Sequence, residues 1–300
     1  MVITSRLSYR PWWRVVLAKA TTYLELLKFR LSLLVAFSAG FGFLLGSKGV
    51  FDSMTLLMLC LGGFLVSGCS IALNQIIERD YDKLMNRTKN RPLPSQRLTV
   101  SQAGFFALLT GILGLWLLME FTNMLTAFLS LVSLLSYALI YTPLKRVGPI
   151  AVLVGAFPGA FPPLLGWVAA TGSLSFAGWL IFGIQFIWQF PHFWAIAWIA
   201  DEDYKRAGFK LLPMNGKKDL NTAIQIMIYT LFLIPLGLLP AKFGITGINS
   251  AIIATVCGVL FLSQTFMLMR DGSRKSARKI MFSSFLYLPI IQISYLLDMQ

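Results

Sequence analysis

Residues 54–93 read MTLLMLCLGGFLVSGCSIALNQIIERDYDKLMNRTKNRPL. The apolar run over 54–78 is long enough to cross a hydrocarbon core of roughly 30 Å, which takes about 20 helical residues. It ends in carboxylates, and a loop of alternating cations follows it. Lipid supplies no partner for a bare backbone, so only a helix or a closed barrel can cross it, and the run lacks the period-two alternation of barrel strands. The stretch therefore predicts a membrane helix whose last turn stands at the surface, where chemistry can begin.

Eight further runs of the same kind lie at 24–47, 102–120, 124–142, 149–170, 175–200, 221–240, 246–268 and 279–297. Together they predict an all-α polytopic membrane protein, a bundle of about nine transmembrane helices. Residues 24–300 form one transmembrane domain behind a basic segment, 1–23. Hydrophobic residues make up 57% of the chain and charged residues 13%, far outside the soluble range. The partner this composition demands is a lipid bilayer.

The net charge of +14 does not point to nucleic acid, because the cations are sorted by topology. Arg6, Arg10, Arg14, Lys19, Lys28 and Arg30 precede or enter the first run, and every even-numbered exit is basic. The odd-numbered exits carry only Lys48 and Lys242. The positive-inside rule then puts the N-terminus and the even exits in the cytoplasm, and nine spans put the C-terminus outside. The N-terminal segment has no cleavable apolar region. A bacterial inner membrane is the simpler location, with a mitochondrial presequence the alternative. Cys60, Cys69 and Cys257 have no ligand spacing and read as small apolar packing residues.

The longest polar connections, at 79–101 and 201–220, each hold acids followed by bases. Their cores are alike, Arg79-Asp80-Tyr81-Asp82-Lys83 against Glu202-Asp203-Tyr204-Lys205-Arg206, which hints at two four-helix repeats with a ninth helix appended. In the first, Asn74, Glu78 and Asp82 are spaced four apart. Each step of four turns the helical face by only about 40°, so the three side chains share one stripe. Oxygen donors of this kind suit magnesium, which keeps several waters and shares its shell with substrate phosphates. A solvated helix end paired with its neighbours is the plainer reading of the two acids, and the Asn sharing their stripe favours the metal. The following loop, with Arg87, Lys89 and Arg91 and then Pro92, can grip a diphosphate from several sides.

The pattern Asn74-xxx-Glu78-xxx-Asp82-xx-Met85-x-Arg87-Thr88-xx-Arg91-Pro92-Leu93 resembles the first signature of the UbiA-type intramembrane prenyltransferases, and within them the heme O synthase branch. Tyr141-Thr142-Pro143-Leu144-Lys145-Arg146, Gly159-Ala160-Phe161-Pro162-Pro163, Trp188-Gln189-Phe190-Pro191-His192-Phe193-Trp194 and Asp203-Tyr204-xx-Ala207-Gly208 extend the resemblance over residues 24–297. It implies transfer of a farnesyl group from farnesyl diphosphate to a vinyl group of heme b with addition of water. It also implies Mg2+ held by Asn74, Glu78, Asp82 and Asp203, a diphosphate clamp of Arg87, Lys89, Arg91, Lys145 and Arg146, and partners in the heme pathway or in oxidase assembly. The second acidic motif departs from the superfamily's paired DxxxD, since Ile199 stands four before Asp203; Asp203 is the best candidate there, ahead of Glu202 and Asp201.

His192 is the single histidine. A neutral imidazole is a common heme ligand, and an ionisable residue at membrane depth is expected to be functional, but a hydrogen-bonded packing role is an equal reading. Gly155, Gly159 and Ala160 read as helix-packing residues. Two other functions compete: a prenyltransferase of the same fold acting on an aromatic or quinone precursor, and a transporter for an anionic solute. One-sided clustering of the charges disfavours the transporter, whose site would lie near the midplane.

Overall fold

The computed structural model describes residues 11–214 and 216–300; Arg6 and Arg10 of the basic segment lie outside them. The chain is helical, in the order α1 (Trp12–Leu26), α2 (Phe29–Ser47), α3 (Ser53–Asp82), α4 (Val100–Phe121), α5 (Met124–Leu144), α6 (Ile150–Thr171), α7 (Phe176–Ile199), α8 (Asp201–Arg206), α9 (Leu220–Lys242), α10 (Ile248–Asp271) and α11 (Arg274–Leu297). Among the described residues nine helices, α2 to α7 and α9 to α11, are long and apolar enough to cross a membrane. Most start on a side chain that accepts an otherwise orphaned N–H. Asp52, Asn123, Ser175, Asp219 and Ser273 do so, and Thr99 with Gln102 closes a full capping box on α4.

The first span corrects the sequence reading. The run 24–47 predicts one helix, but the chain breaks at Leu27 and Lys28, and the residues before the break form a separate helix, α1. Lys28 adopts a left-handed conformation, φ +46°. The break is tolerated because its freed carbonyls find donors: Gln75 Nε2 donates to Leu26 O at 2.6 Å and Ser32 Oγ to Leu27 O at 2.8 Å. Hydropathy cannot register such a break, since the residues on both sides are apolar.

A second irregularity lies in α5, where Ser136–Tyr141 is π-helical and Pro143 follows. A π turn advances the chain by an extra residue and re-aims every side chain beyond it. Here those side chains are Thr142 and Lys145, which meet α3.

Close approach of backbones sets the packing of α2 on α6. A Cβ on Gly42 would strike the Pro163 carbonyl, and one on Gly166 would strike the Ala39 carbonyl. Small residues play this part in membranes because dispersion, rather than water exclusion, holds the helices. Gly155 likewise faces the Tyr141 ring and Gly159 the Gln189 amide.

Deep in the bundle a polar knot joins three spans. Ser38 Oγ donates to Gln185 Oε1 at 2.9 Å, and Gln292 Nε2 donates to both at 3.0 Å. Gln185 and Gln189 continue it onto the Gly159 and Ala156 carbonyls of α6 at 2.9 and 2.8 Å.

Candidate active site

The last turns of α3 carry Asn74, Glu78 and Asp82 on one stripe, and all three are buried. Buried charges need partners, and each is met from another element. Asn74 Nδ2 donates to Thr142 Oγ1 at 3.0 Å, which leaves its carbonyl oxygen as an acceptor. Lys145 Nζ stands 2.9 Å from Glu78 Oε1, yet the approach lacks hydrogen-bond direction, so this enclosed oxygen has no aligned donor. Arg91 Nη1 bonds both oxygens of Asp82, at 2.8 and 2.7 Å, and Asp82 is 0% exposed. Burial works against the charge of Lys145, but Glu78, Tyr137 and Tyr204 together outweigh it and hold the ammonium above its ordinary value.

The loop 83–99 is a shaped scaffold. Thr88 Oγ1 donates to the Asp82 carbonyl at 2.9 Å, Arg97 Nη2 to the Asn90 carbonyl at 2.7 Å, and Met85 and Leu93 are buried beneath it. Its far anchor is Asp203, whose two oxygens accept the backbone N–H groups of Asn86 and Arg87, each at 3.1 Å. The two similar acidic segments thus meet in space. Asp203 is also 3.2 Å from Arg206, and Asp201 pairs with Lys205 and Lys218.

Of the expected clamp, Arg91 and Lys145 lie on the carboxylates. Arg87 rests over the Tyr204 ring, with Nη2 donating to its hydroxyl at 3.1 Å. Lys89 turns to Asn86 Oδ1 at 3.2 Å and Arg146 stacks over Tyr81, 4.3 Å from its centroid; neither meets Glu78 or Asp82.

One further cation was counted in the sequence only as topological charge. Burial pushes the Lys28 ammonium down to about 7, and repulsion from Arg91, Lys145 and Arg87 adds to this against a weaker pull from Asp82. Arg91, Lys145 and Arg87 therefore lie close enough to act on Lys28, and their repulsion adds to the larger effect of burial in loosening its proton. Lys28 escapes a motif search because the left-handed break that aims it is invisible in the sequence.

His192 sits deeper on α7, buried between Trp188, stacked at 4.7 Å, and Phe285, edge-on at 4.7 Å. Its Nδ1 is 2.7 Å from Ser284 Oγ. The single hydroxyl proton of Ser284 goes to the Met281 carbonyl at 2.6 Å, so the contact is filled by a proton on Nδ1 and Nε2 keeps its lone pair. Among the described residues nothing hydrogen-bonds Nε2.

The chain matches the model of the UbiA prenyltransferase family over residues 33–288. It belongs to that family. A protoheme IX farnesyltransferase of Cytophaga hutchinsonii is 52% identical over 276 residues, covering 92% of this chain and 96% of that protein. Among solved structures, a digeranylgeranylglyceryl phosphate synthase superposes with a TM-score of 0.77 at 21% identity, over 94% of this chain and 98% of the other. A UbiA homolog of Archaeoglobus fulgidus bound to GPP and Mg2+ does so with a TM-score of 0.64 at 16% identity, over 91% and 99%. At these identities the structural matches establish the fold alone. Family membership makes the chain a prenyltransferase, and the resemblance read from the motifs is borne out.

The donor set around α3 fits a hard cation: amide and carboxylate oxygens, one of them enclosed with no aligned donor. Among the described residues no group of three or more His, Cys, Asp or Glu side chains could hold a metal by themselves. Asn74 and a substrate phosphate would therefore have to complete any such shell.

Proposed function

We propose that this enzyme transfers a farnesyl group from farnesyl diphosphate to a vinyl carbon of protoheme IX, with water completing heme O. The acceptor follows from the 52% identity with a protoheme IX farnesyltransferase over nearly the whole chain. The observation that carries the chemistry is the excess of cations gathered at the Asn74, Glu78 and Asp82 stripe, Lys145 buried, Lys28 and Arg91 half-buried and Arg87 exposed, a charge that a polyanion would neutralise.

In this reading Lys28, Arg87, Arg91 and Lys145 receive the diphosphate. Negative charge grows on the leaving group as the allylic C–O bond breaks, so cations fixed in advance stabilise the transition state more than the ground state. The vinyl group attacks the allylic cation, and the new cation beside the porphyrin takes water and releases a proton. Farnesyl diphosphate, heme b and water become heme O and diphosphate. Magnesium held by Asn74, Glu78 and Asp82 would supply further charge neutralisation to the phosphate oxygens. Asp203, expected as a fourth ligand, holds the 86–87 backbone and so keeps Arg87 in place. His192 presents Nε2 to the porphyrin iron, with Ser284 fixing the tautomer as second-sphere partners of metal-bound histidines do. The site opens to the cytoplasm, by the distribution of basic residues, and the bilayer is a bacterial inner membrane.

Membranes carrying the enzyme, given farnesyl diphosphate, heme b and magnesium, should yield heme O by mass spectrometry. Diphosphate release without a porphyrin product would instead favour an aromatic acceptor.

A further inference from the structure

Helix α1 has an apolar face that no part of the described protein covers. Trp12, Val16, Ala20 and Leu24 follow one another in steps of four, with Trp13 and Leu17 beside them. Trp12 is 75% exposed and Leu17 58%. Only the C-terminal turn is held on its opposite side: Leu26 and Thr22 are buried, Gln75 takes the Leu26 carbonyl, and Glu25 pairs with Arg97. The exposed stripe runs on through Phe29 into the exposed face of α2, at Leu33 and Phe37, which is the lipid belt of a span. Continuity with that belt makes the bilayer the occupant. Arg14 and Lys19 are exposed on α1, Arg30 follows just beyond the break, and the sole acid of α1, Glu25, is already paired.

We propose that α1 lies in the membrane plane, seated on anionic headgroups, and that this seating sets the left-handed Lys28 in the active site. Tryptophan rings fit the boundary between acyl chains and headgroups, and a bilayer surface with negative charge complements the cations. The mechanical link is short. One residue, Leu27, separates the end of α1 from Lys28, and the Leu26 carbonyl is held by Gln75, next to Asn74 in α3. A helix lifted from the surface would drag this hinge, and the cation it aims would leave the diphosphate site. The link to Lys28 rests on the function proposed above; the seating of α1 does not.

The full-length protein in nanodiscs of phosphatidylcholine alone, and of equal parts phosphatidylcholine and phosphatidylglycerol, separates the two. Amide exchange over residues 12–26 should slow in the anionic lipid, and Arg14→Glu with Lys19→Glu should abolish that response while the spans exchange as before. The seating equilibrium should change roughly fivefold per basic residue, and the Kd for inorganic diphosphate with magnesium should rise in step. Identical exchange of 12–26 in both lipids overturns the seating. Exchange that responds while diphosphate affinity does not overturns the coupling to Lys28. Failure to form heme O, with both lipid responses intact, would count against the proposed acceptor and leave this inference standing.

Discussion

Removing the Lys145 ammonium as Lys145→Met strips Glu78 of its ion-pair partner while keeping the bulk of the side chain. The pair is 2.9 Å apart, and the Glu78 side chain is 5% exposed. At an effective dielectric near 20, two unit charges at that distance attract by about 6 kcal/mol. Most of this only offsets desolvation, and breaking such a pair from one side typically costs about 3–5 kcal/mol. Arg91 and Lys28 remain nearby, so the lower end is expected. Thermal unfolding in detergent, followed by size-exclusion fluorescence, should place Lys145→Met well below wild type. Glu78→Gln/Lys145→Met should recover much of the loss, because no charge is left stranded. Turnover should not recover: losing one preorganised cation at a leaving group costs about 10²–10³ in rate, and the oxygen donor is gone as well. A single variant as stable and active as wild type, or a double variant carrying the sum of both single losses, would refute the assigned pairing.

Asp203→Ala should raise the KM for farnesyl diphosphate roughly tenfold, from two lost charge-assisted hydrogen bonds, without changing the magnesium concentration for half-maximal activity; a shift in that midpoint would make Asp203 a ligand. Diphosphate affinity of the wild type should fall as pH rises through about 7, where Lys28 loses its proton, and Lys28→Gln should flatten the profile. The linkage sign is opposite for folding: the unfolded chain holds this proton up to the ordinary lysine value, so Lys28 adds stability as pH climbs above about 7. Ser284→Ala should alter the Soret spectrum of added heme b, and His192→Ala should abolish the change; unaltered spectra in both would give His192 a packing role.

Much of the frame was legible because lipid leaves the chain few choices. The nine spans follow from apolar runs of sufficient length, and the Asn74, Glu78 and Asp82 stripe follows from spacing within a helix that does continue to Asp82. Illegible features depend on departures from regular helix. The break at Lys28 rests on a carbonyl accepting from Gln75, nearly fifty residues away in sequence (|i−j| = 49). The π turn at Ser136–Tyr141 re-aims Lys145 within a stretch that reads as plain helix. Asp203 stands out in the sequence as a candidate, but its partners are backbone N–H groups, which no side-chain pattern announces.

The knot of Ser38, Gln185 and Gln292 bears on biosynthesis. Ser38 lies in α2, and Gln292, 254 residues later, in α11. Until α11 enters the bilayer, α2 and α7 hold their polar groups in hydrocarbon with the set incomplete, a state that costs free energy. The insertion of α11 is therefore a molecular roll call, and a chain truncated before α11 carries an exposed polar flaw for membrane quality control to find.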